Sequence, residues 1–520
     1  MKVIPKVNSH KKTSGVFVFS QNTAINSQDS TVNVLLRCDK LSFGAKAGSP
    51  PNSVDFVENA ALGGEEYNLD ISENKITVGF STQNGILRAL STLKQLIDGN
   101  FVGAACEIPC GTISDKPRFS YRGYMLDVAR HFFGVPTVKK ILDAMWLLKL
   151  NVLHLHLCDN QGFRLQIDAL PKLHEIGSKR AQTRGDGVPV EGYYTKADIA
   201  EIISYAKARG IEVIPEIDLP GHTIAILAAY PELSCKGEPI KVSERFGITR
   251  EILCAGKKSV LDFVFKLLSE VAAMFPSQYI HIGGDEAPKF QWEECGDCKR
   301  AVQENGLRDM EDLQGWFTNR IIEHLKTLGK TAIVWNESLN SGILDKSAIC
   351  QYWQDGKVPR RVFAAADGGR KVIVSKFSPY YLDYPYGMFS LKKTYLFEPL
   401  MDGFSGEGAR NIIGVESPLW TEYVASEDRL FYQTFPRLAA VAESGWHCGA
   451  KDFADFKVRY PYFQNSLAAI GVRGASLRES LPNPVKGALK VAKFALHALD
   501  KELIKSALNA KKVKENRRTE

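Results

Sequence analysis

Two adjacent carboxylates follow two glycines near the middle of the 520-residue chain, in the order Gly283-Gly284-Asp285-Glu286. Neighbouring residues on a regular strand point to opposite faces, so an unbent strand would separate the two side chains. Glycine tolerates the backbone geometry that bends a strand end, which could turn both carboxylates into one pocket. Two close carboxylates raise the pKa of one of them, as a general acid requires. The plainer alternative is an exposed Asp-Glu pair in a loop, which a position directly after a buried strand disfavours.

Other polar and aromatic residues also stand where apolar, β-branched runs end. They are Asp127, Asp159, Asp218, His222, His281, Trp335, Trp353, Tyr381, Asp383, Trp420 and Glu422. Aromatic rings stack on the apolar face of a pyranose and carboxylates accept hydrogen bonds from its hydroxyls, so this mixture favours a sugar site. Hydrolysis of a glycosidic bond normally takes two carboxylates that flank the bond.

A His-x-His pair, His154 and His156, suggests a different chemistry. Residues two apart on a strand point the same way, and such a pair binds zinc in metal-dependent hydrolases built on a barrel of parallel strands. Those enzymes need further His and Lys ligands on later strands, where this chain offers Trp, Asp and Glu. We therefore favour structural histidines and keep a zinc amidohydrolase as an alternative.

The elements that must position these residues are short apolar runs alternating with segments of helical period, such as 138–150, 196–209, 259–274, 312–328 and 431–443. The runs are Tyr124–Val128, Asn151–Leu157, Ile211–Ile217, Tyr279–Gly283, Thr331–Trp335, Ala348–Trp353, Lys371–Ser375 and Ile412–Val415. Near-continuous apolar strands that alternate with helices indicate parallel strands buried on both faces. Eight such units predict an α/β chain with a (β/α)8 TIM barrel, whose functional residues lie at the carboxyl ends of the strands.

Three regions are predicted along the chain: a small α+β N-terminal domain over 1–115, the catalytic barrel over 116–450, and a helical basic C-terminal extension over 451–520. In the first, Gly15–Phe19, Val32–Cys38 and Lys75–Phe80 are predicted strands and Asn84–Leu96 a helix. The polar, turn-rich segment Cys110–Pro117 is the predicted boundary.

Composition and charge narrow the possible functions. Hydrophobic residues make up 44% and charged residues 24%, an ordinary globular mixture that excludes a disordered chain. Of the net charge of +7, residues 486–520 carry +6, so the main body lacks the basic surface that nucleic acid requires. We interpret the basic tail as a solvated amphipathic helix. An apolar run long enough for a transmembrane helix is absent from the sequence, and we expect no membrane partner.

The cysteines and the N-terminal residues indicate the cellular compartment of the protein. Ten cysteines include the close pairs Cys106/Cys110 and Cys295/Cys298, and the other six are scattered. Two pairs about 190 residues apart are weak evidence for zinc, whose structural ligands usually have compact spacing. We therefore expect buried reduced thiols. Because residues 1–15 show no apolar segment of the secretory type, a cytoplasmic location is expected.

Four motifs resemble one enzyme family. HIGGDEAP (281–288), NVLHLHLCDNQGFR (151–164), YRGYMLDVARHFF (121–133) and PEIDLPGH (215–222) closely resemble signatures of glycoside hydrolase family 20, the β-N-acetylhexosaminidases. The resemblance covers roughly residues 15–450. It implies substrate-assisted catalysis without an enzyme nucleophile: the 2-acetamido oxygen of the substrate attacks its own anomeric carbon and forms an oxazolinium ion. Glu286 would be the general acid and base, Asp285 would accept the acetamide N–H, and Tyr381 would donate to the acetamide oxygen.

The resemblance also implies the remaining substrate contacts. Trp335, Trp353 and Trp420 would surround the acetamido methyl group. Arg122 would bind the sugar hydroxyls O3 and O4, and Asp383 and Glu422 would bind O4 and O6. The supporting polar residues would be Asp159, Asp218, His222 and His281. Cys158, Asn160 and Phe163 depart from the family pattern, and Asn160 removes a charge near the pocket rim. Neither a metal nor another cofactor is expected.

The predicted function is that of a retaining exo-β-N-acetylhexosaminidase that releases terminal GlcNAc or GalNAc from oligosaccharides or glycoconjugates. Three alternatives stay open: a lacto-N-biosidase-like relative that releases disaccharides, a catalytically silent sugar-binding protein, and the zinc amidohydrolase. The intact Asp285, Glu286 and Tyr381 disfavour the silent protein, and Asp383 and Glu422 favour exo cleavage. The sequence allows a monomer or a dimer.

Overall fold

An α+β layer precedes the barrel. In the computed structural model, which describes residues 1–20, 22–27, 32, 35–36, 52–102, 105–354 and 359–498, its strands are β1 (Ser9–Phe19), β2 (Ala24–Asn26), β3 (Ser53–Glu58), β4 (Tyr67–Ile71), β5 (Lys75–Phe80), β6 (Phe101–Val102) and β7 (Ala105–Asp115). They pair in the order β1-β7-β4-β5-β3-β2, with β6 on β7. The alternation in β5 buries Ile76 and Val78. Helix Gln83–Gly99, capped by the Thr82 side chain, packs against β4, β5 and β7.

The predicted boundary of the N-terminal domain and one of its predicted strands differ from the described structure or lie outside it. The segment 110–117, predicted as a polar turn, is mostly strand: β7 runs to Asp115 because it pairs with β1 on one side and β4 on the other. The strand predicted at Val32–Cys38 lies largely outside the described residues.

The predicted barrel is confirmed. Its strands are β8 (Tyr121–Asp127), β9 (Val152–His156), β14 (Glu212–Glu216), β15 (Tyr279–His281), β16 (Thr331–Trp335), β17 (Ile349–Tyr352), β18 (Val372–Val374) and β19 (Ile412–Leu419). All neighbours are parallel and β19 closes on β8. The small strands β10 (Cys158–Asp159), β11 (Gly162–Phe163), β12 (Lys179–Arg180) and β13 (Val190–Glu191) form two hairpins between β9 and β14.

Layers of side chains fill the barrel interior. Near the amino ends of the strands an apolar layer contains Tyr121, Val152, Ile214, Ile333, Ile349 and Ile373. Because strand side chains alternate, His154 on β9 and Glu216 on β14 also point inward, one step closer to the carboxyl ends. At those ends the register sets Asp127 beside His156, His156 beside Glu216, and Glu216 beside His281. The barrel therefore gathers acids and imidazoles from four neighbouring strands at one end.

Helices surround the barrel and extend it. The longer ones are Val135–Leu147, Lys196–Lys207, Lys258–Met274, Gly296–Glu304, Met310–Thr327, Pro359–Asp367, Glu427–Thr434 and Arg437–Trp446. The shorter ones are Lys172–Glu175, Ile224–Ala229, Pro231–Leu233, Phe290–Glu294, Asn336–Ser341, Phe377–Tyr380, Leu391–Leu396 and Gly406–Arg410. The helix predicted at 431–443 is two helices, because the chain between them contains Pro436, which has no N–H to donate.

The described part of the C-terminal extension is helical, as predicted: Phe453–Ala469, Leu477–Ser480 and Pro484–Ala498. The first of these helices packs on helix Gln83–Gly99 and places Arg459 in a buried ion pair with Glu443, 2.7 Å apart. The third sets the Phe494 ring against Tyr384 and Tyr423. Within the described ranges, every helix is too short or too polar to cross a bilayer.

Candidate active site

The Asp-Glu pair lies where β15 leaves the barrel, on a bent backbone. Gly283 and Gly284 have φ of +63° and +104°, and Glu286 has φ of +44°. A Cβ on Gly283 would lie 1.7 Å from Asp218 Oδ1, so this position has room only for glycine. The bend brings both carboxylates to one place: Asp285 Oδ2 is 3.8 Å and Glu286 Oε2 is 3.5 Å from Nε2 of His222. The glycines thus do what the sequence interpretation required of them.

Asp285 presents an unused hydrogen-bond acceptor. Its side chain is buried, and its Oδ1 has no partner among the described residues. Burial, followed by the negative charges of Asp218, Glu337 and Glu286, raises the pKa of Asp285 well above its usual value, and His222 opposes the rise. Because a buried acceptor without a partner is costly, this oxygen is set to receive a donor from a bound molecule.

Glu286 stands at the mouth of the same pocket, with one third of its side chain exposed. Its backbone N–H donates to the Glu337 carboxylate, which holds the strained residue in place. Behind it, His222 Nδ1 lies 3.2 Å from Asp159 Oδ1. Burial lowers the pKa of His222, but Asp159 and the hydrogen bond to Glu286 outweigh burial and raise it well above the usual value. A charged imidazole therefore sits beside Glu286, in reach of both carboxylates.

Four aromatic rings lie together at the carboxyl ends of the strands, and one of them, Tyr381, is near enough to Asp285 to feel its charge. We call the space that they border the aromatic pocket. Trp335 is fully buried and donates from Nε1 to Glu216 Oε1 at 2.8 Å, which fixes the ring as a floor. The Trp420 ring is 6.0 Å from Trp335, and Tyr381 is 6.1 Å from Trp420. Trp353 stacks on Tyr381 at 5.9 Å. The three tryptophans and Tyr381 are thus brought together, as predicted from their positions at strand ends.

A charged rim closes the other side of the pocket. Arg130 pairs with Asp159 Oδ2 at 2.7 Å and Asp127 Oδ2 at 3.2 Å, and its guanidinium stacks 4.8 Å above the Trp420 ring. Glu422 Oε1 is 3.8 Å from the same guanidinium. Asp383 is buried with Oδ1 unpartnered in the described structure, and burial followed by the charge of Glu422 raises its pKa well above the usual value.

The prediction for Arg122 is wrong. Arg122 is near the amino end of β8, and because Tyr121 points into the barrel, Arg122 points out of it. It is fully buried against the N-terminal domain, where it donates to Glu65 at 2.6 and 3.0 Å and to Phe119 O at 2.7 Å. Burial alone would raise the pKa of Glu65, but Arg122 and Arg88 lower it to about 2. Arg122 ties the two domains together and does not touch the sugar pocket.

The sequence interpretation gave no substrate contact to Arg130, although this residue follows the first barrel strand. It lies three residues past Asp127, the last residue of β8, and so falls on the functional end of the barrel. Glu337 was also left unassigned, although it follows β16 directly after Trp335 and Asn336. Asn160, which departs from the family pattern, accepts from Ile224 N–H at 3.2 Å and orders a loop.

Beneath the pocket, imidazoles and carboxylates form a buried network. His154 lies 2.9 Å from Glu416 Oε1 and 3.1 Å from Glu216 Oε2. His156 lies 2.6 Å from Glu216 Oε2 and 2.9 Å from Asp159 Oδ2. Burial opposes protonation, but the carboxylates raise the pKa of His154 to about 9 and of His156 to about 10. The two imidazoles thus hold the carboxylates of Glu416, Glu216 and Asp159 in place beneath the pocket.

His281 and Asp218 support the pair from below. His281 Nδ1 is 3.0 Å from Glu216 Oε1, and its ring lies 4.8 Å from Trp335. Asp218 Oδ1 accepts from Gly284 N–H at 3.0 Å. Burial raises the pKa of Asp218 to about 7, while His222 opposes the rise. His281 therefore helps to position Trp335, and Asp218 acts on Asp285 through its charge.

Comparisons with known proteins agree with this geometry. Residues 119–448 match the model of the glycosyl hydrolase family 20 catalytic domain, and residues 1–116 match domain 2 of that family. The β-hexosaminidase of Porphyromonas gingivalis is 36% identical over 471 residues, covering 86% of this chain, which spans 59% of that relative's length. The β-hexosaminidase of Akkermansia muciniphila is 36% identical over 405 residues, covering 76% of this chain and 82% of the relative.

Solved structures give the same result. The family 20 exo-β-N-acetylglucosaminidase of Vibrio harveyi in complex with N-acetylglucosamine has a TM-score of 0.81 at 28% identity, covering 92% of this chain and 78% of that one. A mutant β-hexosaminidase of Streptomyces plicatus in complex with GlcNAc has a TM-score of 0.79 at 32% identity, covering 92% and 97%. With the barrel, the bent Asp-Glu pair and the aromatic pocket in place, the chain belongs to glycosyl hydrolase family 20.

Proposed function

We propose that the chain is a retaining exo-β-N-acetylhexosaminidase whose nucleophile is the 2-acetamido group of its substrate. The observation that carries the proposal is Asp285 Oδ1 at the edge of the aromatic pocket, which has no hydrogen-bond partner in the described part of the chain. An acetamido group has an N–H that this oxygen can accept and a methyl group that the rings can bury. Glu286 lies on the same side of the pocket, in reach of the leaving oxygen.

In the first step the acetamido oxygen attacks C1, the bond from C1 to the leaving oxygen breaks, and Glu286 gives that oxygen its proton. Asp285 accepts the acetamide N–H and stabilises the positive charge that develops on the oxazolinium ring. Tyr381 donates to the acetamide oxygen and holds it under C1. In the second step Glu286 takes a proton from water, which attacks C1 and reopens the ring. Two displacements at one carbon retain the β configuration.

His222 supports both steps by charge. As an imidazolium it faces Glu286, whose Oε2 is 3.5 Å from its Nε2, and Asp159 keeps it oriented. The fully buried Trp335 and its bond to Glu216 leave the pocket floor little freedom to move. The acetamido group is therefore bound in a preorganised, water-poor site, where such electrostatic contacts are strongest.

Exo cleavage follows from the rim. Arg130, Asp383 and Glu422 form a charged rim beside Trp420, so we expect a terminal sugar to meet these groups at its O3, O4 and O6 hydroxyls. A further sugar on that side would have to displace them. The substrate class is therefore an oligosaccharide or glycoconjugate with a terminal β-linked N-acetylhexosamine.

The assay compares chromogenic β-glycosides of GlcNAc, GalNAc and lacto-N-biose, in wild type and in Glu286→Gln. Release from GlcNAc or GalNAc but not from lacto-N-biose supports exo cleavage, whereas lacto-N-biose as the preferred substrate would show a disaccharide-releasing enzyme. For aglycones that leave poorly, Glu286→Gln should lose about 10²- to 10⁴-fold in kcat, the range of general acid catalysis. Glu311→Gln, a half-exposed side chain, is the matched control. Unchanged turnover in Glu286→Gln would remove Glu286 from the acid role.

A further inference from the structure

Four cysteines meet beside the active site. They come from two loops: one follows β14 and supplies Cys235 and Cys254, and the other follows β15 and supplies Cys295 and Cys298. Their Sγ atoms all lie within 4.8 Å of one another. We call this set the cysteine cluster. The cluster was not evident from the sequence, because only two of its members, in Cys295-x-x-Cys298, are close in sequence.

The distances fit a metal better than they fit disulfides. Sγ of Cys254 is 3.7 Å from that of Cys295 and 3.5 Å from that of Cys298, and Cys235 is 4.0 Å from Cys298. A disulfide needs about 2.05 Å. Four sulfurs around one tetrahedral Zn²⁺ at about 2.3 Å lie about 3.8 Å apart, which is the middle of the observed range.

The surrounding backbone is arranged as at a thiolate site. Cys295 caps helix Gly296–Glu304, and Cys298 lies in its first turn, so both sulfurs come from one short turn. On the other loop, Ser234 and Leu253 form a β-bridge that brings Cys235 and Cys254 together.

The two loops are already in contact around the cluster. A Cβ on Gly256 would lie 2.3 to 2.4 Å from backbone atoms of Asp297 and Cys298, so only glycine allows this approach. Lys236 and Arg300 line the cleft above the sulfurs, together with Glu294 and Asp297.

From this geometry we propose that the cysteine cluster binds one structural Zn²⁺ ion. Binding converts four thiols to thiolates and releases four protons, with no change in oxidation state: Zn²⁺ and four RSH give Zn(SR)₄²⁻ and four H⁺. Four sulfur ligands close the tetrahedron, so the ion keeps no open position for water and takes no part in hydrolysis. The sequence led us to expect buried reduced thiols; for the four residues of the cysteine cluster, we now propose zinc-bound thiolates instead.

The ion would act as a clamp on the two loops that carry catalytic groups. The first loop begins at Pro220-Gly221-His222, and Leu253 N–H donates to Pro220 O at 3.1 Å, next to Cys254. The second loop begins with Asp285 and Glu286. Where the loops cross, a Cβ on Gly221 would lie 3.0 Å from Asp285 O. Loss of the ion should therefore loosen His222 relative to the acid pair.

The test measures zinc in the purified full chain by elemental analysis. We expect about one zinc per chain in wild type and less than about a tenth of that in the Cys295→Ser/Cys298→Ser double variant, since each structural site takes one ion. Cys448→Ser, an exposed cysteine outside the cluster, should keep its zinc. The double variant should also unfold at a lower temperature than the control.

A second measurement decides the matter even if the double variant fails to fold. Wild-type protein stripped of zinc with an organomercurial and refilled with Co²⁺ should show the sulfur-to-cobalt charge-transfer band and the red d–d bands of a tetrahedral tetrathiolate. Absence of zinc and of that spectrum, zinc retained in the double variant, or two disulfides found by mass mapping would each overturn the proposal. None of these outcomes bears on the role of Glu286.

Discussion

Lysine in place of Arg130 should weaken substrate binding, whereas lysine in place of Arg122 should not. The nitrogens of the Arg130 guanidinium lie 2.7 to 3.2 Å from side-chain oxygens of Asp159, Asp127 and Gln161. The same group also faces the pocket. Lysine can keep one of these contacts but cannot hold the acids and reach sugar hydroxyls together. A charge-assisted hydrogen bond contributes about 1.5–3 kcal/mol, so we expect kcat/KM to fall about 10- to 150-fold.

Arg122→Lys is the matched control because it makes the same chemical change at the other end of β8. It removes donors from Glu65, Phe119 O and Lys149 O in a fully buried place. Because lysine keeps the charge beside Glu65, the free energy of unfolding should fall by about 2–3 kcal/mol, somewhat less than for removal of a buried partner. At a temperature where the variant is folded, its kcat/KM should stay within about twofold, the usual effect of a change remote from the site.

The assay is steady-state cleavage of aryl β-GlcNAc and its 4-deoxy analogue, with melting curves for each variant. If Arg130 holds O4, the Arg130→Lys penalty should shrink when the substrate lacks that hydroxyl. A fall in kcat/KM confined to Arg122→Lys, with Arg130→Lys unchanged, would refute the placement of the two arginines. An equal fall in kcat/KM for both substrates would show that Arg130 contacts a hydroxyl other than O4.

Three other changes test the electrostatics of the site. Asp285→Asn keeps the size of the side chain but loses the charge beside the oxazolinium, so kcat should fall about 10²-fold or more, as when one preorganised group is removed; near-normal kcat would contradict the role of Asp285. Above its own pKa of about 7, Asp218 carries the negative charge that helps to raise the pKa of Asp285. Asp218→Asn removes that charge, so the acid limb of the pH profile of kcat/KM should move to lower pH where it lies in that range; a move to higher pH would contradict the coupling. The pKa values of His154 and His156 are raised to about 9 and about 10. The protonated imidazoles therefore stabilise the folded state fully below pH 6.5, and this stabilisation is lost as the pH rises through 9 to 10. The melting temperature of wild type should therefore fall over that range, and His156→Gln should start lower and fall less; parallel curves would show that the imidazoles are neutral.

The barrel and most of the pocket could be predicted from sequence because the signals are local. A run such as Thr331–Trp335 is apolar enough to be buried on both faces, and the observed strand has the same bounds. Polar and aromatic residues at or beyond the end of such a run fall at the functional end, which is how Trp335 and Asp383 were placed there; the family resemblance implied their substrate contacts. The glycines before Asp285 signalled a bend that the positive φ values show.

What sequence could not supply was partners that are distant along the chain. The first barrel strand was expected to begin at Tyr124, so the outward direction of Arg122 on a strand beginning at Tyr121 was missed. Its partner Glu65 lies 57 residues earlier, in the other domain, and no pattern links the two. The cysteine cluster was missed for the same reason: Cys235 lies 63 residues from Cys298 in sequence and 4.0 Å away in space.

The central claim is that the nucleophile belongs to the substrate, and one comparison tests it most directly. The same aryl leaving group is attached to β-GlcNAc and to β-glucose, which differ only in the acetamido group, and kcat/KM is measured for both with wild-type enzyme. Because a positioned intramolecular nucleophile has a very high effective concentration, the glucoside should be cleaved at least about 10³-fold more slowly. Cleavage of the glucoside within about tenfold of the GlcNAc substrate would show that the enzyme has its own nucleophile, since only that could replace the missing group.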